Sequence, residues 1–280
     1  MRPRSLRPLM LLIPLALAAL LLLAACGDEE EGAAELADGV ITVGSDIAYA
    51  PIEFYEEGTQ NEMGMDVDLL NAMADVLGAE VEFQQVADFG AIVEDLKAKR
   101  YDIVMSAISI TPAREAEIDL IPYFGPVATS ILVPAGNPKG IEDAEDLCGL
   151  KVAAQVGTYQ VDQVNGSEDV EGLNETICAD NQITLTTFPD NPTAVQELAL
   201  GRVDAELADD PVAAYSAAQS DGDLEVAISR FPDPAPYGIG VRKDSPELKA
   251  VLEQALQRIM DDGTYLQILQ TWEQEQFALQ

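Results

Sequence analysis

A chain of 280 residues with 15 Lys and Arg against 50 Asp and Glu carries a formal charge of −35 at neutral pH and holds no histidine. That balance excludes nucleic acid as a partner, because neutralising phosphates needs clustered cations. The missing histidine excludes His-based triads, histidine zinc sites and the usual general base near neutrality.

In chain order, the N-terminus pairs a basic stretch (Arg2, Arg4, Arg7) with the apolar run LLIPLALAALLLLA and then small residues, the layout of an export signal. Its end, Leu-Ala-Ala-Cys, resembles the lipobox of bacterial lipoproteins, which implies a signal peptide over residues 1–25, cleavage before Cys26 and lipidation of the Cys26 thiol. The run is short for a membrane span and contains Pro14. Residues 26–38, rich in acids, Gly and Ala, read as a flexible tether. Losing residues 1–25 leaves 255, about two ordinary domains, and removes three arginines and no acid, so the charge deepens from −35 to −38. Cys148 and Cys178 then form an even pair in an exported chain and predict a disulfide. Two thiols without histidine predict no metal site.

The stretch GVITVGSD predicts a buried strand that ends in a loop at Ser45 and Asp46. Leu69, Leu70, Met73, Val76 and Leu77 recur at helical spacing, with acids in the first turn and Gly78 as the stop. VEFQQV predicts a strand, GAIVEDLKAK a helix, and YDIVMSAI a third strand. Next comes SAISITPAR, where Thr111 and Pro112 mark a helix start and place Arg114 in its first turn. A cation is disfavoured there by the helix dipole, so Arg114 with Ser106, Ser109 and nearby backbone N–H groups reads either as a carboxylate receiver or as one arm of a structural salt bridge.

The second half repeats the plan: LKVAAQVG strand, a short helix from Thr158, ITLTTF strand, NPTAVQELAL helix, VDAELAD strand, DPVAAYSAAQS helix, LEVAIS strand. The alternation predicts an α/β fold with parallel sheets. A faint internal echo sets Glu94 onward over Gln196 onward and brings Ala107 opposite Asp209. In LADDP, Asp209 and Asp210 stand at a strand end, either as a helix cap or as an anion aimed at a ligand. RFPDPAPYGIGVRK reads as a linker between lobes, and the tail as a capped amphipathic helix from Ser245, a break at Gly263 and a second helix. An arginine on one lobe and an aspartate on the other suit a zwitterion. Tyr49 and Phe89, each after a strand, are placed either to sandwich a side chain or simply as core. Asp46 is placed to meet a ligand's distal end.

From Val40 to Phe277 the ordered motifs VGSDIAYAPIEF, GMDVDLLNAMADVLG, DIVMSAISITPAR, KVAAQVGTYQ, GRVDAELADDPVAAY and the tail resemble the family 3 extracellular solute-binding proteins of ABC importers for polar amino acids. The resemblance implies two Rossmann-like lobes joined by two hinge strands, the periplasmic binding protein-like type II plan. Lobe 1 is expected over 39–126 and 237–280 and lobe 2 over 127–236, with crossings near Gly125 to Ser130 and Ser229 to Gly238. It also implies that Arg114 binds an α-carboxylate with help at Ser109 and at Thr158 or Tyr159. Asp209 would take the α-ammonium near Ala107 and Ser109, Tyr49 and Phe89 would flank the side chain, and Asp46 would face its tip. The partners implied are a free amino acid and a membrane permease, with the binding protein a monomer on the outer face of the membrane, without cofactor and not an enzyme.

Four positions depart from the family pattern: Met65, Ala107 without a hydroxyl, Tyr159 in place of a small residue, and Gln155 where some glutamine binders carry lysine. With Asp46 at the tip and no Lys in the inferred pocket, an acidic ligand would leave a buried charge unpaired. A basic amino acid, arginine or lysine, is therefore the first expectation and glutamine or another polar neutral one the second. The reading from another class is an exported dehydratase of prephenate or arogenate type, with Asp46, Glu53 or Asp209 as its acid.

Overall fold

The structure is a computed structural model that describes residues 39–229 and 234–279. The expected signal peptide, Cys26, the expected tether and part of the second expected crossing lie outside the described residues.

In the first half, β1 (Val40–Ser45) leads into a small antiparallel sheet of β2 (Ala48–Tyr49), β3 (Glu53–Tyr55) and β4 (Glu62–Met63). There follow α1 (Met65–Leu77), β5 (Glu80–Gln85), a 3₁₀ turn at Phe89–Ala91 running into α2 (Ile92–Lys97), β6 (Ile103–Val104), α3 (Pro112–Glu117) and β7 (Asp119–Val127). The second half holds β8 (Thr129–Pro134), β9 (Lys151–Gln155), α4 (Tyr159–Asn165), β10 (Thr184–Phe188), α5 (Asn191–Ala199), β11 (Ala205–Asp209), α6 (Asp210–Gln219) and β12 (Leu224–Ile228). The chain then returns through β13 (Ala235–Val241) and closes with α7 (Pro246–Asp261) and α8 (Thr264–Thr271).

Two five-stranded sheets result, ordered β5-β1-β6-β13-β7 and β10-β9-β11-β8-β12. In each, four strands run one way and one, β13 in the first sheet and β8 in the second, runs against them, so the two halves share one plan. This is the α/β architecture that the alternation predicts. The chain passes between the sheets at Ala128 and again between β12 and β13.

Three details differ from the sequence reading. The strand expected over Tyr101–Ile108 is only Ile103–Val104, because the chain leaves the sheet at Met105 and Ala107 adopts a left-handed backbone with φ 47°. The Pro-rich linker becomes, from Ala235, a central strand. Tyr237, Ile239 and Val241 there are wholly buried, and Gly240 permits close packing, since a Cβ on it would lie 2.4 Å from Val104 Cγ2. The β2–β4 sheet had no counterpart in the periodicity, because its strands are two or three residues long.

Helix α1 ends where expected, with Gly78 in the left-handed conformation that glycine adopts at little cost. Leu248, Leu252, Leu256 and Ile259, one stripe of α7, join Ile41, Val43, Leu69 and Met73 in one core, so the tail helix belongs with the first sheet. Burying each such side chain contributes about 1.5–3 kcal/mol. A separate core of Ile131, Val152, Ala154, Leu173 and Leu207 underlies the second sheet, and the Cys148–Cys178 disulfide, with a Cα–Cα distance of 5.2 Å, borders it.

Candidate functional site

The C-terminal ends of β1, β6, β9 and β11 converge between the two sheets, the position where open parallel sheets place their ligands. Asp46 follows β1 and is buried. One of its oxygens accepts from Gln85 Nε2 at 2.9 Å and the other from Gln155 Nε2 of the second half. Burial holds its carboxyl above the usual range, partly opposed by these amide donors. The Asp46 N–H donates to Ser106 Oγ at 3.0 Å, and the Ser106 hydroxyl donates to Glu53 Oε1 at 2.9 Å.

Helix α3 starts as the sequence predicts, with the Thr111 side chain accepting from the Arg114 N–H at 3.3 Å and Pro112 in the first turn. The guanidinium of Arg114 folds back to donate to Ser109 O at 2.8 Å, reaches across to Gly157 O at 3.1 Å, and lies 5.8 Å from the Phe89 ring centroid. Among the described ion pairs none includes Arg114, so the salt-bridge alternative is not what the structure shows. Burial lowers its pKa, against the attraction of Asp162 and Asp209.

From the other side, β11 ends in Asp209. As N-cap of α6 it makes no side-chain cap hydrogen bond, which removes the capping alternative. Its carboxylate instead accepts from Gln160 Nε2 and from the Tyr237 hydroxyl, each at 2.7 Å, while its N–H donates to Tyr49 Oη at 3.3 Å. Burial raises its pKa to about 6, with these donors opposing. Behind it the buried Glu206 accepts from Asn191 Nδ2 at 2.9 Å, and burial followed by repulsion from Asp209 raises its pKa to about 8. The Thr158 hydroxyl donates to Gln155 O at 2.8 Å and shapes the loop that carries Gly157.

One cavity is lined by all eleven residues predicted from sequence: Asp46, Tyr49, Phe89, Ser106, Ala107, Ser109, Arg114, Gln155, Thr158, Tyr159 and Asp209. Glu53 and Gln160 complete the lining. Gln160 was missed because its role rests on Asp209, far away in sequence, although its place in the first turn after Gly-Thr was a usable signal. Glu53, raised earlier only as an acid for a dehydratase, sits in a short strand without periodicity. Tyr237 was hidden in the apparent linker. The charges are lopsided: Asp46, Glu53, Asp66, Glu206 and Asp209 are all buried, and Arg114 is the cation that lines the cavity.

Comparison with known proteins agrees with this geometry. The family model of bacterial extracellular solute-binding proteins, family 3, matches residues 41–275. The chain is 32% identical to the arginine-binding protein ArgT of Corynebacterium glutamicum over 84% of its own length and 74% of that protein's. A solved structure of an ancestral arginine-binding protein bound to arginine superposes with a TM-score of 0.75 at 31% identity, covering 84% of this chain and 98% of that one. A structure of the ancestral amino acid-binding protein AncCDT-1, a precursor of cyclohexadienyl dehydratase, does so with a TM-score of 0.73 at 32% identity, covering 85% and 97%. Among the described residues no helix is long and apolar enough to cross a membrane. With two mirrored sheets, a charged cavity between them and a match running almost from β1 to the last turn, the chain belongs to the bacterial extracellular solute-binding proteins, family 3.

Proposed function

We propose that the chain captures a basic amino acid, arginine or lysine, for an ABC importer. The observation that carries the reading is the unequal charge of one cavity, whose lining sets Arg114 against Asp46, Glu53 and Asp209. In this reading Arg114 takes the α-carboxylate on both oxygens, since a guanidinium fork matches a carboxylate. Asp209 takes the α-ammonium, Tyr49 and Phe89 flank the aliphatic stem, and Asp46 takes the distal cation. Glutamine stands second because the Asp46 carboxylate also accepts from an amide. The lobes 39–126 with 237–280 and 127–236 act as the two moving bodies. The Asp46–Gln155 and Arg114–Gly157 contacts cross between them and support closure over a ligand. A ligand that makes its contacts to both lobes shifts that equilibrium toward the shut form.

The acid-lined cavity disfavours prephenate-type substrates, which bring further carboxylates, so the chain acts as a binding protein and not as a dehydratase. Cys26 carries the lipid that holds the monomer on the outer face of the membrane, beside its permease. Calorimetry on ligand-free protein is the test. Arginine or lysine is expected to bind more tightly than micromolar and glutamine more weakly. Failure of every free amino acid to bind would sink the reading, and turnover of prephenate or arogenate would replace it with the enzyme. Loss of metabolic lipid labelling in Cys26→Ala checks the anchor.

A further inference from the structure

Behind the first-half wall of the cavity two acids meet. Glu53 on β3 and Asp66 in the first turn of α1 are close enough for their carboxyls to act on one another, and both are fully buried. Glu53 Oε1 accepts the Ser106 hydroxyl at 2.9 Å, and Asp66 Oδ2 accepts the Tyr123 hydroxyl at 2.7 Å and the Ala107 N–H at 3.2 Å. The remaining oxygens, Glu53 Oε2 and Asp66 Oδ1, have no donor. The groups facing the pair are Asp46 after β1, Tyr123 on β7, and Ser106 and Ala107 after β6. None of them is a cation, and no described ion pair includes either acid. Two buried carboxylates in contact do not both ionise without a cation. One proton shared between the two orphan oxygens turns one into a donor and satisfies both. Of the two acids Glu53 lines the cavity, so the proton lies at its wall.

Resting on the amino acid-binding reading above, we infer that Glu53, through the proton it shares with Asp66, selects for the charge of the ligand's side chain. Against a neutral side chain the pair keeps its proton. A cationic side chain in the cavity draws the proton off to the solvent buffer, leaving two carboxylates, and the added negative charge favours the cation. The Ser106 hydroxyl joins Glu53 to the Asp46 backbone, and Asp46, Glu53 and Ser106 all line the cavity. Burial and the neighbouring carboxyl raise Glu53 well above the carboxylate range, and burial raises Asp66 to about 7, so the pair is poised to titrate at and above neutrality.

The test compares arginine with citrulline, its uncharged analogue of nearly the same shape. Calorimetry near pH ~7.5 in two buffers of different ionisation enthalpy counts the protons released. Arginine is expected to release a sizeable fraction of one proton and citrulline almost none. Their difference cancels Asp209, which meets the same α-ammonium in both. Glu53→Gln keeps the acceptor for Ser106 and mimics the protonated acid. It is expected to bring arginine's proton release down toward citrulline's and to cut the preference for arginine about tenfold. Equal release and equal preference in wild type and Glu53→Gln would overturn the selector while leaving the amino acid reading intact, whereas no binding of either ligand would overturn both. Should Glu53→Gln not fold, infrared difference spectra of the wild type decide. Arginine, but not citrulline, is expected to bleach the carbonyl band of a protonated carboxylic acid, and an unchanged band would overturn the inference.

Discussion

Asp209 and Asp210 are adjacent in LADDP and point to different tasks. Asp210 accepts the Ser130 hydroxyl, whereas Asp209 is gripped by Gln160, Tyr237 and Tyr49 and faces the cavity. Two of these hydrogen bonds hold its carboxylate and the third its backbone N–H before a ligand arrives, which lowers the ordering cost of binding. Asp209→Asn keeps the shape and removes the charge opposite an ammonium. It is expected to weaken arginine and glutamine alike by roughly 30- to 100-fold, about 2–3 kcal/mol by calorimetry. In the proposed reading Asp46 meets the side-chain tip, so Asp46→Asn is expected to behave differently. Arginine affinity is expected to fall about tenfold or more with glutamine affinity nearly unchanged. Equal losses for both ligands would remove Asp46 from that role.

At the scale of elements, the loops that follow parallel strands do the positioning. The echo between the two halves places Ala107 after β6 and Asp209 at the end of β11, equivalent sheet positions that converge on the same cavity. Arg114 was legible in sequence because Thr111-Pro112 announces a helix start and a cation there has no local reason. Glu53 and Tyr237 were not legible, since β3 spans three residues and β13 alternates with glycines demanded by neighbouring strands. The proposed closure would depend on Gly157, with φ 74°, where a Cβ would come within 2.3 Å of Gly90 Cα across the cleft. Gly157→Ala therefore adds about 1–2 kcal/mol of backbone strain and a clash felt only in the shut form. Stopped-flow measurements should show ligand release accelerated at least about tenfold, with little change in association rate. The disulfide closes a separation of 30 residues within the second half, and its reduction should lower stability in urea by about 3–4 kcal/mol.

For the whole molecule, buried acids set the response to pH. Asp209 is raised to about 6, Asp66 to about 7 and Glu206 to about 8, each chiefly by burial. A carboxyl with a raised folded pKa binds its proton more tightly folded than unfolded. Its contribution is fully present below the unfolded value near ~4 and is lost as pH rises through the folded one. Ligand-free protein is thus expected to be more stable at pH ~5.5 than at pH ~8.5, by roughly 2 kcal/mol or more. Repulsion within a chain of net charge −35 acts in the same direction. A melting temperature that does not fall across this range would mean that these acids are already ionised.

The alternation of parallel strands and helices, the helix start at Thr111 and Pro112, the helix stop at Gly78 and the cysteine pair followed from sequence alone, because each depends on neighbours within a few residues or on residue type. Which acids lose water, which share a proton, and that Gln160 and Tyr237 grip Asp209 were decided by tertiary structure. Those groups come together only when strands distant in sequence align their ends, and desolvation, the force that shifts their protons, has no meaning until the two sheets enclose them.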